Sequence, residues 1–303
     1  MDAVAQESTI GDVAIWQRDG AVILDRLIDP ADIVAVRADC DTLFAGREGQ
    51  SGAINRKTGE SIGAFDEAQF RNQAQLPFAA SPAINLVGLH PRLIAFAKAA
   101  LGVEHVHLYQ CDAWAKYTGE ADYDQPFHCD YANHTLTVPS DNPAERTVNC
   151  MIYVTDVTND LGAIHYVANP QADAIVGRDR LALPDTPQLA LKAHERSGAA
   201  PAGSVFAYSI DTYHRGTNLT RPGGHRYTIT ASFKAAGNEM VARTAWPIHF
   251  MRPWKKLIYH ASPEQLACVG IPLPSDPFWT TTTIARAQAR WTDWDMTPYR
   301  DAL

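Results

Sequence analysis

The run Arg226-Tyr227-Thr228-Ile229-Thr230-Ala231-Ser232-Phe233 alternates polar and apolar residues without a break. In a β-strand this places Arg226, Thr228, Thr230 and Ser232 on one face and Tyr227, Ile229, Ala231 and Phe233 on the other. An apolar face with an arginine and three hydroxyls behind it predicts a sheet packed on a core, its polar side lining a cavity.

Other strands are expected at Val106 to Tyr117, Phe127 to Tyr131, Thr147 to Val157, Ile164 to Val167, Ser204 to Tyr208 and around His214. Helices are expected from about Ile10 to Arg18, from Pro30 to Phe44 and from Pro91 to Leu101. In the second, Ile33, Val36, Cys40, Leu43 and Phe44 recur at helical spacing, with Asp29 placed to cap and Pro30 in the first turn. The third stops at Gly102. Gly46 to Phe65 has no period and reads as a loop, either inert or a lid. Beyond Trp246 the chain turns to Trp, Pro and charge, with helices at Pro253 to His260, Pro263 to Cys268 and Thr281 to Trp291. This tail would cover the sheet, close a pocket or mediate a dimer. Many short strands with attached helices predict a mainly β sandwich in one domain of 303 residues. It divides into a helical N-terminal layer (1–103), a β core (104–235) and a C-terminal helical, aromatic extension (236–303).

His128-Cys129-Asp130 supplies the chemistry. Residues two apart in an extended segment share a face, so His128 and Asp130 can reach one metal while Cys129 points away. His214, in the strand-like Ser209 to His214, is the third candidate. Two imidazoles and a carboxylate leave coordination positions open, as in non-heme Fe(II) oxygenases, although the same set suits catalytic zinc. Arg226 adds a planar, bidentate donor suited to a dicarboxylate such as 2-oxoglutarate. Arg215 and Arg221 compete for that role. Arg215 should point away from the side His214 faces, and Arg221 precedes the turn signal Pro222-Gly223-Gly224. Of the other histidines, His134 is placed for substrate contact, and His165 and His225 receive no role. Asn149, Met151 and Tyr153 share a strand face that looks inward. Tyr153 and Tyr109 either touch cofactor or substrate or pack in the core.

On these residues the chain resembles the phytanoyl-CoA dioxygenase family of Fe(II)/2-oxoglutarate oxygenases. The likeness runs from Gln17-Arg18-Asp19-Gly20-Ala21-Val22-Ile23-Leu24 to Phe233. Its best-matching pieces are Pro126-Phe127-His128-Cys129-Asp130, Asn149 to Val157 with Asn159-Asp160-Leu161-Gly162, and Gly203 to His214 with Asn218 and Arg226. The resemblance implies a double-stranded β-helix, or jelly roll, and iron on His128, Asp130 and His214. It also implies 2-oxoglutarate on Arg226 with Thr217 or Thr228, and Lys116 as a second cofactor contact. One departure follows Gly162: the family tends toward a Pro-Gly-Ser-His turn, whereas this chain reads Val167-Ala168-Asn169-Pro170-Gln171. Halogenating relatives replace the carboxylate by Ala or Gly, so Asp130 points to hydroxylation. Desaturation, cyclisation and epoxidation stay open, as do a non-catalytic metal-binding jelly roll and a zinc hydrolase. Fe(II), 2-oxoglutarate and O2 are the implied cofactors, and a secondary or other small metabolite the implied substrate.

Lys plus Arg is 26 against 34 Asp plus Glu, a formal charge of −8, which argues against nucleic acid or an anionic membrane as partner. The five cysteines form no C-x-x-C pair and read as reduced thiols in the cytoplasm. No signal-like or spanning apolar run occurs. A homo-oligomer is left open.

Overall fold

The computed structural model describes residues 3–47, 72–119, 124–130, 134, 142–177, 187–241 and 253–303. In chain order the elements are α1 (Ala3–Asp19), β1 (Ala21–Leu24), α2 (Pro30–Leu43), β2 (Gln73–Gln75), α3 (Pro82–Val87), α4 (Pro91–Leu101), β3 (Val106–Tyr117) and β4 (Thr147–Tyr153). They continue with β5 (His165–Tyr166), α5 (Asn169–Val176), α6 (Gln188–Lys192), β6 (Arg196–Ser197), β7 (Val205–Tyr208), β8 (His214–Arg215) and β9 (His225–Ala235). Short helices α7 (Lys255–Ile258), α8 (Pro263–Cys268), α9 (Thr281–Arg290) and α10 (Thr297–Arg300) close the chain.

Two antiparallel sheets form the mainly β jelly roll. The larger runs β1-β7-β4-β9-β3-β2, the smaller β6-β5-β8. The alternating segment is the centre of the larger sheet: β9 lies between β4 and β3, so its backbone donors and acceptors are used on both sides. Its apolar side chains behave as the alternation requires. Tyr227, Ile229, Ala231 and Phe233 are buried in the principal core with Leu108, Cys111, Ala113, Val148, Cys150 and Ile152. Burying a side chain the size of Ile229 or Phe233 contributes about 1.5–3 kcal/mol. The helices α1 to α4 supply the other wall of that core through Trp16, Val36, Ile84, Leu93 and Phe96. Helix α4 ends at Gly102, whose φ of 66° is the left-handed value that favours glycine and lets Val103 N close on Lys98 O at 3.0 Å.

Several expectations change in detail. Of the strand expected from Phe127 to Tyr131, the described part, Phe127 to Asp130, is not a strand: it makes one isolated bridge, His128 to His214, with a bend at Asp130, and Tyr131 lies outside the described residues. Pro126 has no N–H to donate to a ladder, and Cys129 turns into a separate small cluster with Ile210. The strand expected to reach Val157 stops at Tyr153, leaving an isolated bridge at Val157. The departure at Val167 to Gln171 is where α5 begins, with Pro170 in its first turn. Asp29 stands at the N-cap of α2 without a side-chain cap bond; its carboxylate faces Arg92 at 3.3 Å instead. The C-terminal tail packs behind the larger sheet. Trp254, Trp279, Trp294 and Tyr299 join the principal core, and none of the described tail residues lines the cavity below. Trp246 and residues 48–65 of the expected loop lie outside the described residues.

Candidate metal and cofactor site

Between the two sheets, on the polar side of β9, lies a cavity of about 440 Å³. Strand register builds its floor. Arg226, Thr228, Thr230 and Ser232 of β9 stand opposite Lys116, Trp114, Asp112 and Gln110 of β3. On the other flank Ser232 stands opposite Asn149 and Thr230 opposite Met151 of β4. The register of β3 shifts between Leu108 and Gln110, and this bulge at Tyr109 re-aims its side chain so that the hydroxyl reaches Asn149 Oδ1 at 2.9 Å.

At one end of the cavity one nitrogen from each of His128 and His214 and one oxygen of Asp130 lie within 4.8 Å of one another. The local chain fixes which nitrogen each imidazole offers. His128 Nδ1 lies 2.9 Å from Pro126 O, and His214 Nδ1 lies 2.9 Å from Thr212 O. A carbonyl only accepts, so each ring carries a proton on Nδ1, which leaves Nε2 as the nitrogen facing Asp130. Those Nε2 atoms stand 3.8 and 3.7 Å from the two oxygens of Asp130. Tyr208 of β7 donates its hydroxyl to Asp130 Oδ2 at 3.3 Å. Burial would push the Asp130 carboxyl up, but His214, His128, His134 and the Tyr208 hydroxyl together hold it below its ordinary value. Neutral imidazoles beside an ionised carboxylate are the donor set a divalent cation requires.

His214 is the more deeply buried ring. Burial takes it from 6.5 down to about 4, against the upward pull of Asp130. The unfolded chain therefore takes up a proton that native His214 refuses. The apoprotein is predicted to lose stability as pH falls from about 6.5 toward 4, by up to about 3 kcal/mol, with no further loss from this group below that. Asp130, being depressed, contributes its own loss only lower, under about pH 4. Urea unfolding of apoprotein at pH 7 and pH 4.5 should show the first loss in the parent and a smaller one in His214→Gln.

Arg226 lies at the opposite end, 6% exposed, and its Nε and Nη1 have no hydrogen-bond partner. Burial lowers it to about 10, against an upward pull from Tyr153. The competing arginines are committed elsewhere: Arg215 to Glu195 and Asp124, Arg221 to Asp160. A buried guanidinium with orphaned donors, facing a cavity that ends in a metal-ligand set, fits a dianion spanning the two. Gly162 packs between segment 217–219 and the guanidinium. Its φ is 73°, and a Cβ there would meet Thr217 O at 2.7 Å and Arg226 Nη1 at 3.5 Å.

The remaining candidates divide by position. Thr228, Lys116, His134, Asn149 and Met151 line the cavity. Thr217, Tyr109, Tyr153 and Asn218 do not. The Thr217 hydroxyl is given to Ala163 O at 2.7 Å, and the Tyr153 hydroxyl to Gly198 O at 2.7 Å. Tyr109 sits behind the lining, with its hydroxyl 2.7 Å from His134 Nδ1. Lining residues that the sequence did not single out are Tyr208, Gln73, Gln110, Trp114, Gln125, Ile164 and Gly216. Tyr208 could have been found only through the register that sets it opposite Asn149. Gln73 belongs to a three-residue edge strand with no apolar period to reveal it.

A family model described as phytanoyl-CoA dioxygenase (PhyH) matches residues 16–222, ending short of Arg226, whose case stands on its geometry. No curated protein matches by sequence. Among solved structures, the non-heme alpha ketoglutarate dependent epimerase SnoN from nogalamycin biosynthesis is 16% identical. It superposes with a TM-score of 0.57, covering 81% of this chain and 88% of its own. The carbocyclase SnoK of the same biosynthesis is 17% identical, with a TM-score of 0.54 over 79% of this chain and 88% of its own. AviO1 from Streptomyces viridochromogenes Tue57 is 16% identical, with a TM-score of 0.53 over 77% and 98%. At these identities the likeness is one of fold. With the family model covering more than half of the chain, the protein is a member of the phytanoyl-CoA dioxygenase family, an oxygenase that uses Fe(II), 2-oxoglutarate and O2.

Proposed function

We propose that this oxygenase hydroxylates a C–H bond of a polar small molecule, a secondary or other small metabolite, with conversion of 2-oxoglutarate to succinate and CO2. The observation that carries the proposal is one cavity with the His128, Asp130 and His214 donor set at one end and the unpaired, buried Arg226 at the other. When bound, iron and 2-oxoglutarate supply the oxidative decarboxylation and the removal of hydrogen from carbon. The chain's own residues do the rest.

His128, Asp130 and His214 hold the metal, with Tyr208 steadying the carboxylate. Arg226 takes the distal carboxylate of 2-oxoglutarate, helped by the Thr228 hydroxyl beside it, with Lys116 directly across in the adjoining strand. The rest of the lining is rich in carboxamides: Gln73, Gln110, Gln125 and Asn149, together with Trp114 and His134. Among the described residues, Met151 and Ile164 are its apolar aliphatic or thioether members. Such a wall favours a substrate with several hydrogen-bonding groups over a bare hydrocarbon chain. The substrate is held against the metal end by these groups and displaces water from it. Asp130 occupies the position that halogenation would need vacated, which favours hydroxyl transfer.

Product analysis tests the outcome. The Fe(II)-loaded enzyme, given 2-oxoglutarate, isotopically labelled O2 and a panel of polar metabolites, should form succinate in step with a product that gains one labelled oxygen. A product of inverted configuration, a new ring or a new double bond without added oxygen would overturn hydroxylation within the same cofactor chemistry.

A further inference from the structure

His128 and Asp130 lie in a segment that belongs to no strand, so a ladder does not fix them against His214. Among the described residues, segment 124–130 is tied to 214–218 in another way. The His128 and His214 backbones exchange bonds of 3.0 and 2.8 Å. Gln125 N donates to Gly216 O at 2.9 Å, and Gln125 Oε1 accepts from Gly216 N at 2.8 Å, so a side chain completes what would be the next rung. A Cβ on Gly216 would lie 2.8 Å from that Oε1, so a larger residue there would push the Gln125 carboxamide off this bond. Asp124 then spans two attachments: Oδ1 accepts from Asn218 N at 2.9 Å and Oδ2 from Arg215 Nη1 at 2.8 Å. The other edge of Arg215 is held by Glu195 at 2.8 and 3.2 Å, and its guanidinium stands 5.6 Å from the Phe127 ring centre.

We infer that Asp124 and Arg215 are positioning residues for the metal centre, a charge-assisted tether that sets the separation between the His128 and Asp130 segment and His214. The inference rests on the proposal that those three residues hold iron. Arg215 adjoins His214 in sequence yet projects to the opposite side of β8, and neither Arg215 nor Asp124 lines the cavity. Their effect reaches the metal only through the backbone they hold. The tether replaces ladder hydrogen bonds with charge-assisted ones, which are shorter and stronger than neutral ones. Arg215 is 7% exposed at its side chain, so its charge depends on both carboxylates. Asp124 is 48% exposed at its side chain, so its truncation leaves no core cavity.

The test uses Co(II) as probe, whose visible absorption reports coordination geometry, in the full-length parent, Asp124→Ala, Asp124→Asn and Asp160→Ala. The last removes a comparable but exposed ion pair, with Arg221, as a control for charge and stability. Asp124→Ala should bind Co(II) about tenfold more weakly, the lower end of the range for residues supporting metal ligands. Its absorption should also change. Asp124→Asn, which keeps an acceptor for Asn218 N but loses the charge, should fall between; apo Asp124→Ala should melt below Asp160→Ala, because buried Arg215 loses one of its two carboxylates, so Co(II) binding is compared at a temperature where both variants are folded. Parent-like Co(II) affinity and absorption in Asp124→Ala would overturn the inference. So would an equal loss of affinity in Asp160→Ala. A parent that does not bind Co(II), or binds it as well after His214→Ala, would instead bring down the metal assignment, and the tether with it.

Discussion

Replacing Arg226 with methionine is expected to weaken 2-oxoglutarate binding by about 30-fold to several thousand-fold, the range for truncating one partner of a buried charged pair. The apoprotein should become no less stable. These two effects are seldom joined in one substitution, and the geometry explains why they are here. Without 2-oxoglutarate the guanidinium is a buried cation whose Nε and Nη1 have no partner. Its lowering to about 10 means that the fold disfavours its charged form relative to the unfolded chain, a cost present throughout the pH range below that value. Methionine fills much of the volume without that cost. Calorimetric titration with 2-oxoglutarate alongside urea unfolding separates the possibilities. A variant that loses stability and 2-oxoglutarate affinity together would show Arg226 to be a structural cation.

Asp130→Ala should reduce Fe(II) affinity by more than about 100-fold, since losing a direct ligand exceeds the cost of losing a supporting contact. Succinate production should fall to background. The carboxylate is the only anion of the set, and both imidazole Nε2 atoms stand within 3.8 Å of it. Without it, two neutral nitrogens face a dication alone, with the Tyr208 hydroxyl left as a further donor where an acceptor is needed. The fold should survive, because Asp130 makes no ladder bond and sits at a bend. Fe(II) titration of the apoprotein under argon provides the check. Retention of parent affinity would show that the metal, if bound, is held elsewhere.

How far the sequence led is clearest from single elements. The period of two in Arg226 to Phe233 survives unchanged into β9, because a central strand buried on one face and lining a cavity on the other has to alternate. Val106 to Tyr117 and Pro91 to Leu101 also fall where expected, each marked by apolar spacing, the helix by Gly102 as well. The pairing of His128 with Asp130 was legible from their spacing, but the reason assigned to it, an extended strand, was not correct. Side chains of Asp124 and Gln125 make the bonds that a ladder would have made. No local pattern announces such a substitution. Arg226 was singled out by the company it keeps on its strand. That it is unpaired while Arg215 and Arg221 are paired depends on partners 20 to 91 residues away in sequence. Tyr208 and Gln73 were missed because what brings them to the cavity is strand register, a tertiary property.

On this reading one cavity binds a metal and 2-oxoglutarate together. This is tested most directly by titrating apoprotein with Fe(II) and 2-oxoglutarate under anaerobic conditions and following the weak visible charge-transfer absorption of the chelate. The band is expected to form in the parent, to need both components, and to be lost or much weakened in Arg226→Met at the same concentrations. A folded, iron-loaded parent that shows no band on adding 2-oxoglutarate would contradict it.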